Sequence, residues 1–260
     1  MSAQQSVAPD PVRVLHVTDP HLFDDRDGEL RGVVTSLSLD SVLEDYRRAD
    51  WRADIVLATG DIVQDDSAGG YRRFTQALDA LDLPVYCVPG NHDVPALMLA
   101  EARRAGFFYC SGLRAGNWQL LGIDSCAPGQ AGGRIRRKEM ERLAAALGET
   151  EAGHVLVYLH HPPVPMHSRW LDEVGLANGT ALLELLQRDG RVRLVLFGHV
   201  HQAYDEDIGD IRVIGTPSTC RQFAPRKNTF AVDDRPPAYR RIGLGQDGGV
   251  TTELCWVDVA

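Results

Sequence analysis

Leu83-Pro84-Val85-Tyr86-Cys87-Val88-Pro89-Gly90-Asn91-His92-Asp93 sets a short apolar run directly against a turn loaded with polar chemistry. The apolar half reads as a buried strand, and Pro89-Gly90 turns the chain sharply at its carboxyl end. In open α/β sheets that is where ligands are held. Packed into the turn are an amide oxygen, an imidazole and a carboxylate, none of which a core needs. The stretch is open to two readings: a polar loop whose Asn91 and Asp93 cap a following helix at residues 96–104, or a reaction centre that uses all three groups. The rest of the chain decides.

Upstream the same grammar appears twice more. Residues 12–18 form a β-branched strand ending in Asp19-Pro20-His21. A Gly- and Asp-rich loop (24–32) and a helix over 38–51 follow. Residues 55–59 are a continuous apolar strand, of the kind buried on both faces, ending in Gly60-Asp61. A helix at 70–81 then leads into the opening stretch. Strand, acidic or histidine motif, helix, repeated, predicts a parallel sheet with helical crossovers.

Downstream, residues 118–124 read as a strand, 128–133 as a Gly-rich loop and 137–147 as a helix. The strand at 154–159 ends in His160-His161-Pro162-Pro163. A loop through Trp170 and a helix at 180–188 lead to the strand 192–197, which ends in Gly198-His199-Val200-His201. Beyond it the pattern is all-β, with strands at 211–214, 229–232, 239–244 and 250–257. The expectation is an α/β (α+β) chain: residues 1–11 a loose, disordered tail, and 12–260 one domain of two sheets packed face to face, helices outside, strand ends converging on one rim.

Composition excludes several classes. The chain has 260 residues, 44% hydrophobic and 24% charged, enough for a large core. No apolar stretch approaches the ~20 residues a membrane span requires, and the first residues carry no basic segment followed by an apolar one, so neither membrane nor secretion is expected. Net charge is -9, and no basic cluster is long enough to grip a nucleic-acid backbone. The densest run, Arg134 to Lys138, opens a helix and reads as a solvated face. Five scattered cysteines without zinc-site spacing point to reduced thiols in the cytoplasm.

Polar clusters close five strands: Asp19 and His21; Asp61; Asn91 and His92; His160 and His161; His199 and His201. Of nine histidines, six lie in these motifs. Imidazole and carboxylate are the donors that borderline divalent metals favour. So many are too many for one ion and suit two ions ~3.5–4 Å apart sharing a carboxylate. His16 and His154, within or beside strands, read as structural. In His160-His161 the rings fall on opposite sides of an extended backbone, so one faces the site and the other packs behind it. In His199-x-His201 they fall on one face.

Asp19-x-His21, Gly60-Asp61, Gly90-Asn91-His92-Asp93, His160-His161-Pro162 and Gly198-His199-x-His201, in this order, resemble the calcineurin-like metallophosphoesterases. The resemblance implies a four-layer αββα sandwich of the metallo-dependent phosphatase type with a dinuclear site. One metal would be held by Asp19, His21, Asp61 and His201, and the other by Asp61, Asn91, His160 and His199. Asp61 would bridge, and His92 would face the leaving-group oxygen. Finer stretches, among them residues 18–23, 60–65, 170–172, 198–202 and 216–223, are similar to bacterial 3',5'-cyclic AMP phosphodiesterases of the class III cyclic nucleotide type. Pro20 departs from the usual Thr or Leu; it restricts the backbone of Asp19 and should tighten that ligand pair.

The chemistry expected is hydrolysis of cyclic AMP to 5'-AMP through a metal-bound hydroxide, with His92 protonating the departing oxygen and Asp93 orienting its ring. A neutral Asn91 ligand leaves the site more positive, which favours an anionic substrate. Fe, Mn, Zn and Mg all suit such mixed donors. Phosphodiesterase action on glycerophosphodiesters or 2',3'-cyclic nucleotides is the alternative within the class. An acidic, small chain argues against a nuclease, and a full set of donors against an inert scaffold. The all-β C-terminal part offers an edge or face for a homodimer.

Overall fold

The β-branched run Val12–Val17 lies near the middle of a six-stranded sheet in the computed structural model, which describes residues 11–258. The sheet runs Val250–Trp256, Ala238–Leu244, Val12–Val17, Ile55–Ala58, Val85–Cys87, Phe108–Tyr109. Val12–Val17, Ile55–Ala58 and Val85–Cys87 pair in parallel, so their carboxyl ends leave on one side. A second six-stranded sheet runs Tyr204–Ile208, Ile211–Gly215, Val192–Phe197, His154–Tyr158, Trp118–Gly122, Gly112–Ala115. Its four inner strands are parallel and its two edges antiparallel.

Strand periodicity sorts the side chains into layers. Ile55 and Leu57 point into the space between the sheets, where they meet Leu120, Leu156, Leu196 and Ile242. Their neighbours Val56 and Ala58 point outward to helices Thr35–Arg48, Ala68–Asp79 and Pro95–Arg104 through Leu39, Leu43, Phe74, Leu78 and Met98. The second sheet is covered by Arg137–Glu149 and Gly179–Asp189 through Leu143, Leu147, Leu182 and Leu186. Burial on both faces is why these strands read as unbroken apolar runs. The result is the four-layer αββα sandwich. Trp118 is the largest fully buried side chain of the inter-sheet layer, its indole Nε1 donating to the Gly245 carbonyl at 2.6 Å; truncating such a residue to alanine costs about 3–5 kcal/mol.

Several expectations are revised. The strand expected over 229–232 shrinks to Val232–Asp233, paired only with Gln222–Phe223. Its apolar member, Phe230, is 40% exposed under the guanidinium of Arg31 rather than packed in a ladder. The first helix begins and ends three residues early, at Thr35–Arg48. The loop over 24–32 contains part of a hairpin, Glu29–Leu30 against Val33–Val34, turning through left-handed Arg31 and Gly32. Tyr204–Ile208 has no apolar alternation because it is an acidic, exposed edge strand, a composition that discourages pairing with other chains. Trp170 lies in a short helix, Arg169–Asp172. Residues 1–10 of the expected tail lie outside the described residues, and no helix among those described is long and apolar enough to cross a membrane.

Candidate metal centre

The strand ends meet along one rim, and the backbone there is unusual. Asp19, His21, Asp61, His199 and His201 all adopt left-handed conformations, with φ of 52°, 49°, 49°, 68° and 49°. Asp and His tolerate that region better than most side chains, yet each still stores strain that its surroundings must hold. Cross-strand bonds do so: the amide of Asp19 donates to Gly60 O at 3.1 Å and that of His21 to Asp61 O at 3.0 Å. The amide of His199 donates to both carboxylate oxygens of Asp19 at 3.1 Å. The glycine preceding Asn91 is required by crowding, since a Cβ on Gly90 would fall onto the Asp61 carboxylate and the His160 ring. A Cβ on Gly198 would meet the Thr18 hydroxyl and Asp19 in the same way.

Two groups of donor atoms form on either side of Asp61. On one side, His21 Nε2 and His201 Nε2 are 3.1 Å apart, His201 Nε2 is 3.4 Å from Asp19 Oδ1, and His21 Nε2 is 3.7 Å from Asp61 Oδ2. On the other, His160 Nε2 is 3.4 Å from the same Asp61 Oδ2 and 3.1 Å from both Asn91 Oδ1 and His199 Nδ1. Separations near 3.0–3.4 Å are the edges of a coordination shell with bonds of about 2.1 Å.

The tautomers sharpen this. His201 Nδ1 donates to the Arg221 carbonyl at 2.5 Å and His160 Nδ1 to the Thr59 carbonyl at 2.7 Å. Each Nε2 therefore aims a lone pair at other acceptors, an arrangement that needs a cation or a proton between them. Back-bonding of this kind is what orients metal-ligating imidazoles. His21 Nδ1 and His199 Nε2 are buried without partners. The donor set fits divalent metal ions.

Electrostatics agree. Burial would raise the Asp61 carboxyl, but His160 and His21 reverse this and hold it well below the usual carboxylate range. Burial pushes His21 down to about 4 and His199 well below its ordinary value, so both are neutral donors. His160 differs: burial lowers it, yet Asp61 and Asp19 outweigh burial and bring it to about 9.

His161 also stands close, its ring 4.7 Å from that of His199, and one of its nitrogens falls within 4.8 Å of donors on His160 and His199. Both ring nitrogens are occupied: Nε2 donates to Ala131 O at 3.1 Å and Nδ1 accepts from Ser125 Oγ at 2.8 Å. It packs behind the donors. His199 and His201 point to opposite groups, because the left-handed backbone replaces the extended one assumed from spacing.

His92, alone of the six strand-end histidines, is not buried. Its amide donates to Asp61 Oδ1 at 2.8 Å, and its ring stands edge-on to His21 at 5.1 Å. The Gln64 amide nitrogen donates to Nδ1 at 3.3 Å, which places the ring proton on Nε2. Asp93, expected from sequence to orient this ring, instead bonds away from it. Its carboxylate accepts from the amides of Gly90 at 2.8 Å and Ile62 at 3.0 Å and from the Tyr71 hydroxyl at 2.9 Å, bracing the loops of Asp61 and Asn91 together. Burial and the Asp61 charge push it up to about 7. Nor does Asp93 cap the next helix, whose N-cap is Val94. Gln64 and Ser125 carried no sequence signal of these roles, because contacts across the rim are not local.

Beside the first donor group stands an aromatic wall. Phe223 stacks on His201 at 4.1 Å, and Trp170 and Phe230 pack against Phe223 at 5.4 and 5.2 Å.

A family profile described as "Calcineurin-like phosphoesterase" matches residues 12–203. A 3',5'-cyclic adenosine monophosphate phosphodiesterase, CpdA, of Haemophilus influenzae is 36% identical over 244 residues, 94% of this chain and 89% of that protein. A 3',5'-cyclic-nucleotide phosphodiesterase of Nostoc is 30% identical over 244 residues, covering 94% and 92%. Among solved structures, a dimetal phosphatase of Danio rerio has the same fold, with a TM-score of 0.63 at 19% identity over 96% of this chain and 100% of that one.

Proposed function

The chain belongs to the calcineurin-like phosphoesterase family, and from that premise we propose that it hydrolyses 3',5'-cyclic AMP to 5'-AMP at two divalent metal ions. Asp19, His21, Asp61 and His201 would hold one ion and Asp61, Asn91, His160 and His199 the other, with Fe, Mn, Zn or Mg suited to such donors. When bound, the ions supply Lewis-acid stabilisation of the phosphoryl charge and lower the pKa of water into the neutral range. The observation that carries the proposal is the pair of facing nitrogens on either side of Asp61, His21 with His201 and His160 with His199, each pair at 3.1 Å.

The remaining work falls to the chain's own residues. His92 stands at the open side of the rim, and in its doubly protonated form it would pass the Nε2 proton to the 3'-oxygen as the bond to phosphorus breaks, leaving a neutral ring. Gln64 faces its Nδ1 and holds the ring's orientation. Asn91 adds an oxygen without adding negative charge, which suits a phosphodiester anion. Asp93 and Tyr71 hold the loop that carries both. The wall of Trp170, Phe223 and Phe230 offers a stacking face to adenine, which a glycerophosphodiester would not use. That both sheets deliver donors to one centre supports reading residues 12–260 as one domain. Five free thiols suit a reducing, cytoplasmic setting.

The test is product identification with cyclic AMP and Mn2+. The expected product is 5'-AMP, lost on chelation and regained on adding metal. Formation of 3'-AMP, or no turnover with metal loaded, would overturn the proposal.

A further inference from the structure

Behind the donor rim, in the apolar layer between the sheets, lies an unbroken chain of polar groups that ends on Asp19. Arg240 and His16 are direct partners on neighbouring antiparallel strands, and both are buried. Arg240 Nε donates to Thr216 Oγ1 at 3.3 Å, and Thr216 Oγ1 is 2.8 Å from His16 Nδ1. His16 Nε2 is 2.9 Å from Thr59 Oγ1, which is 2.8 Å from Thr18 Oγ1. Thr18 Oγ1 is 2.5 Å from Asp19 Oδ2.

The directions of these bonds are determined from the carboxylate backwards. An ionised carboxylate only accepts, so the Thr18 hydroxyl donates to Asp19. Thr18 then accepts from Thr59, and Thr59 in turn accepts from His16, which must carry its proton on Nε2. Burial, then the Arg240 charge, keep the His16 ring neutral, at about 3, so its Nδ1 accepts from Thr216. Thr216 is left to accept from Arg240. All five bonds point from a buried cation to a buried anion. The other groups that accept from Arg240, Thr252 Oγ1 and Gly215 O, are neutral, so no carboxylate bonds it directly. Bonds polarised in one sense strengthen one another in a low-dielectric interior.

We propose that Arg240, Thr216, His16, Thr59 and Thr18 act as one set of positioning residues for Asp19, fixing Oδ2 from behind so that Oδ1 faces His201. This rests on Asp19 being a metal ligand, as proposed above. The chain's hydroxyls and ring reach only Asp19 among the donor side chains. The Thr59 backbone carbonyl also accepts from His160 Nδ1 at 2.7 Å, a contact that side-chain substitution leaves in place, so such substitutions act on one of the two ion sites. Partners of this second kind typically change metal affinity by about 10–100-fold when removed.

Apo protein titrated with Mn2+, without substrate, tests this. In Thr59→Val, which keeps shape and removes the hydroxyl, one of two Mn2+ equivalents should weaken by about tenfold or more, while the other holds. Thr59→Ser, which restores the hydroxyl, should bind within about threefold of the parent, inside the range of neutral surface changes. Arg240→Met should weaken the same equivalent, and combined with Thr59→Val should add nothing further, because the chain is already broken. Thermal unfolding of each apo variant reports whether the fold survives. If Thr59→Val falls short of folding, Arg240→Met against Arg240→Lys makes the same comparison from the far end. Unchanged affinity, equal weakening of both equivalents, or additive losses in the double variant would overturn the chain's role. A parent protein that binds no stoichiometric Mn2+ would overturn the metal reading itself, and is distinguished by failing before any substitution.

Discussion

The donor rim and the aromatic wall stand side by side but are built differently. Each rim donor follows a strand buried on both faces, backbone groups hold the side chains of Asp19, Asp61, His160 and His201, and Asp19, His160, His199 and His201 are almost wholly buried. The wall comes from a two-residue strand, a short helix and a turn, and Phe230 is exposed. Under the proposed function, chemistry that needs atoms fixed to a few tenths of an ångström sits on the rigid frame, and contacts to the base sit on segments that change without disturbing it.

This division can be broken most decisively at Asp61. Asp61→Ala should empty both ion sites together and abolish turnover; a full retained metal equivalent, measured by elemental analysis, would show that the two donor groups do not share it. His92→Ala should lower turnover by about two to four orders of magnitude with metal content unchanged. Loss of metal in that variant would move His92 from the chemistry into the donor set.

These two substitutions act at positions that could be read before any coordinates. Polar motifs following apolar strands are local patterns, and Asp19, His21, Asp61, Asn91, His160, His199 and His201 all fall at such places. The parallel inner strands and their helices were legible for the same reason: burial on both faces writes itself into consecutive residues. What escaped has no local signature. The acidic edge strand Tyr204–Ile208 lacks apolar alternation, and the duty of Asp93 depends on Ile62 and Tyr71, far away in sequence. The left-handed backbone at five donors cannot be read from residue type, which favours it without demanding it.

A milder probe distinguishes rim from wall by pH. His160 is raised to about 9 without metal, so below that pH an incoming ion must displace its proton. Mn2+ affinity should therefore rise about tenfold per pH unit towards 9 and flatten above it. A flat profile from pH 6 to 9 would remove His160 from the donor set. The wall carries no such titration. Its smallest and last test is Phe230→Ala, expected to raise KM for cyclic AMP by about fivefold, the low end of base stacking, with kcat unaltered. An unchanged KM would mean that the base lies elsewhere.

The left-handed donors have a further consequence, for relatives of this chain rather than for the chain itself. A non-glycine residue in that conformation gives up roughly 1–2 kcal/mol, and five together approach the whole net stability of a typical domain. Glycine would sit there at ease. In a descendant that no longer binds ions, this strain would favour glycine at the histidine places, while the amides that donate to Asp19 and Asp61 would still hold those two carboxylates. Here all five keep the harder residues.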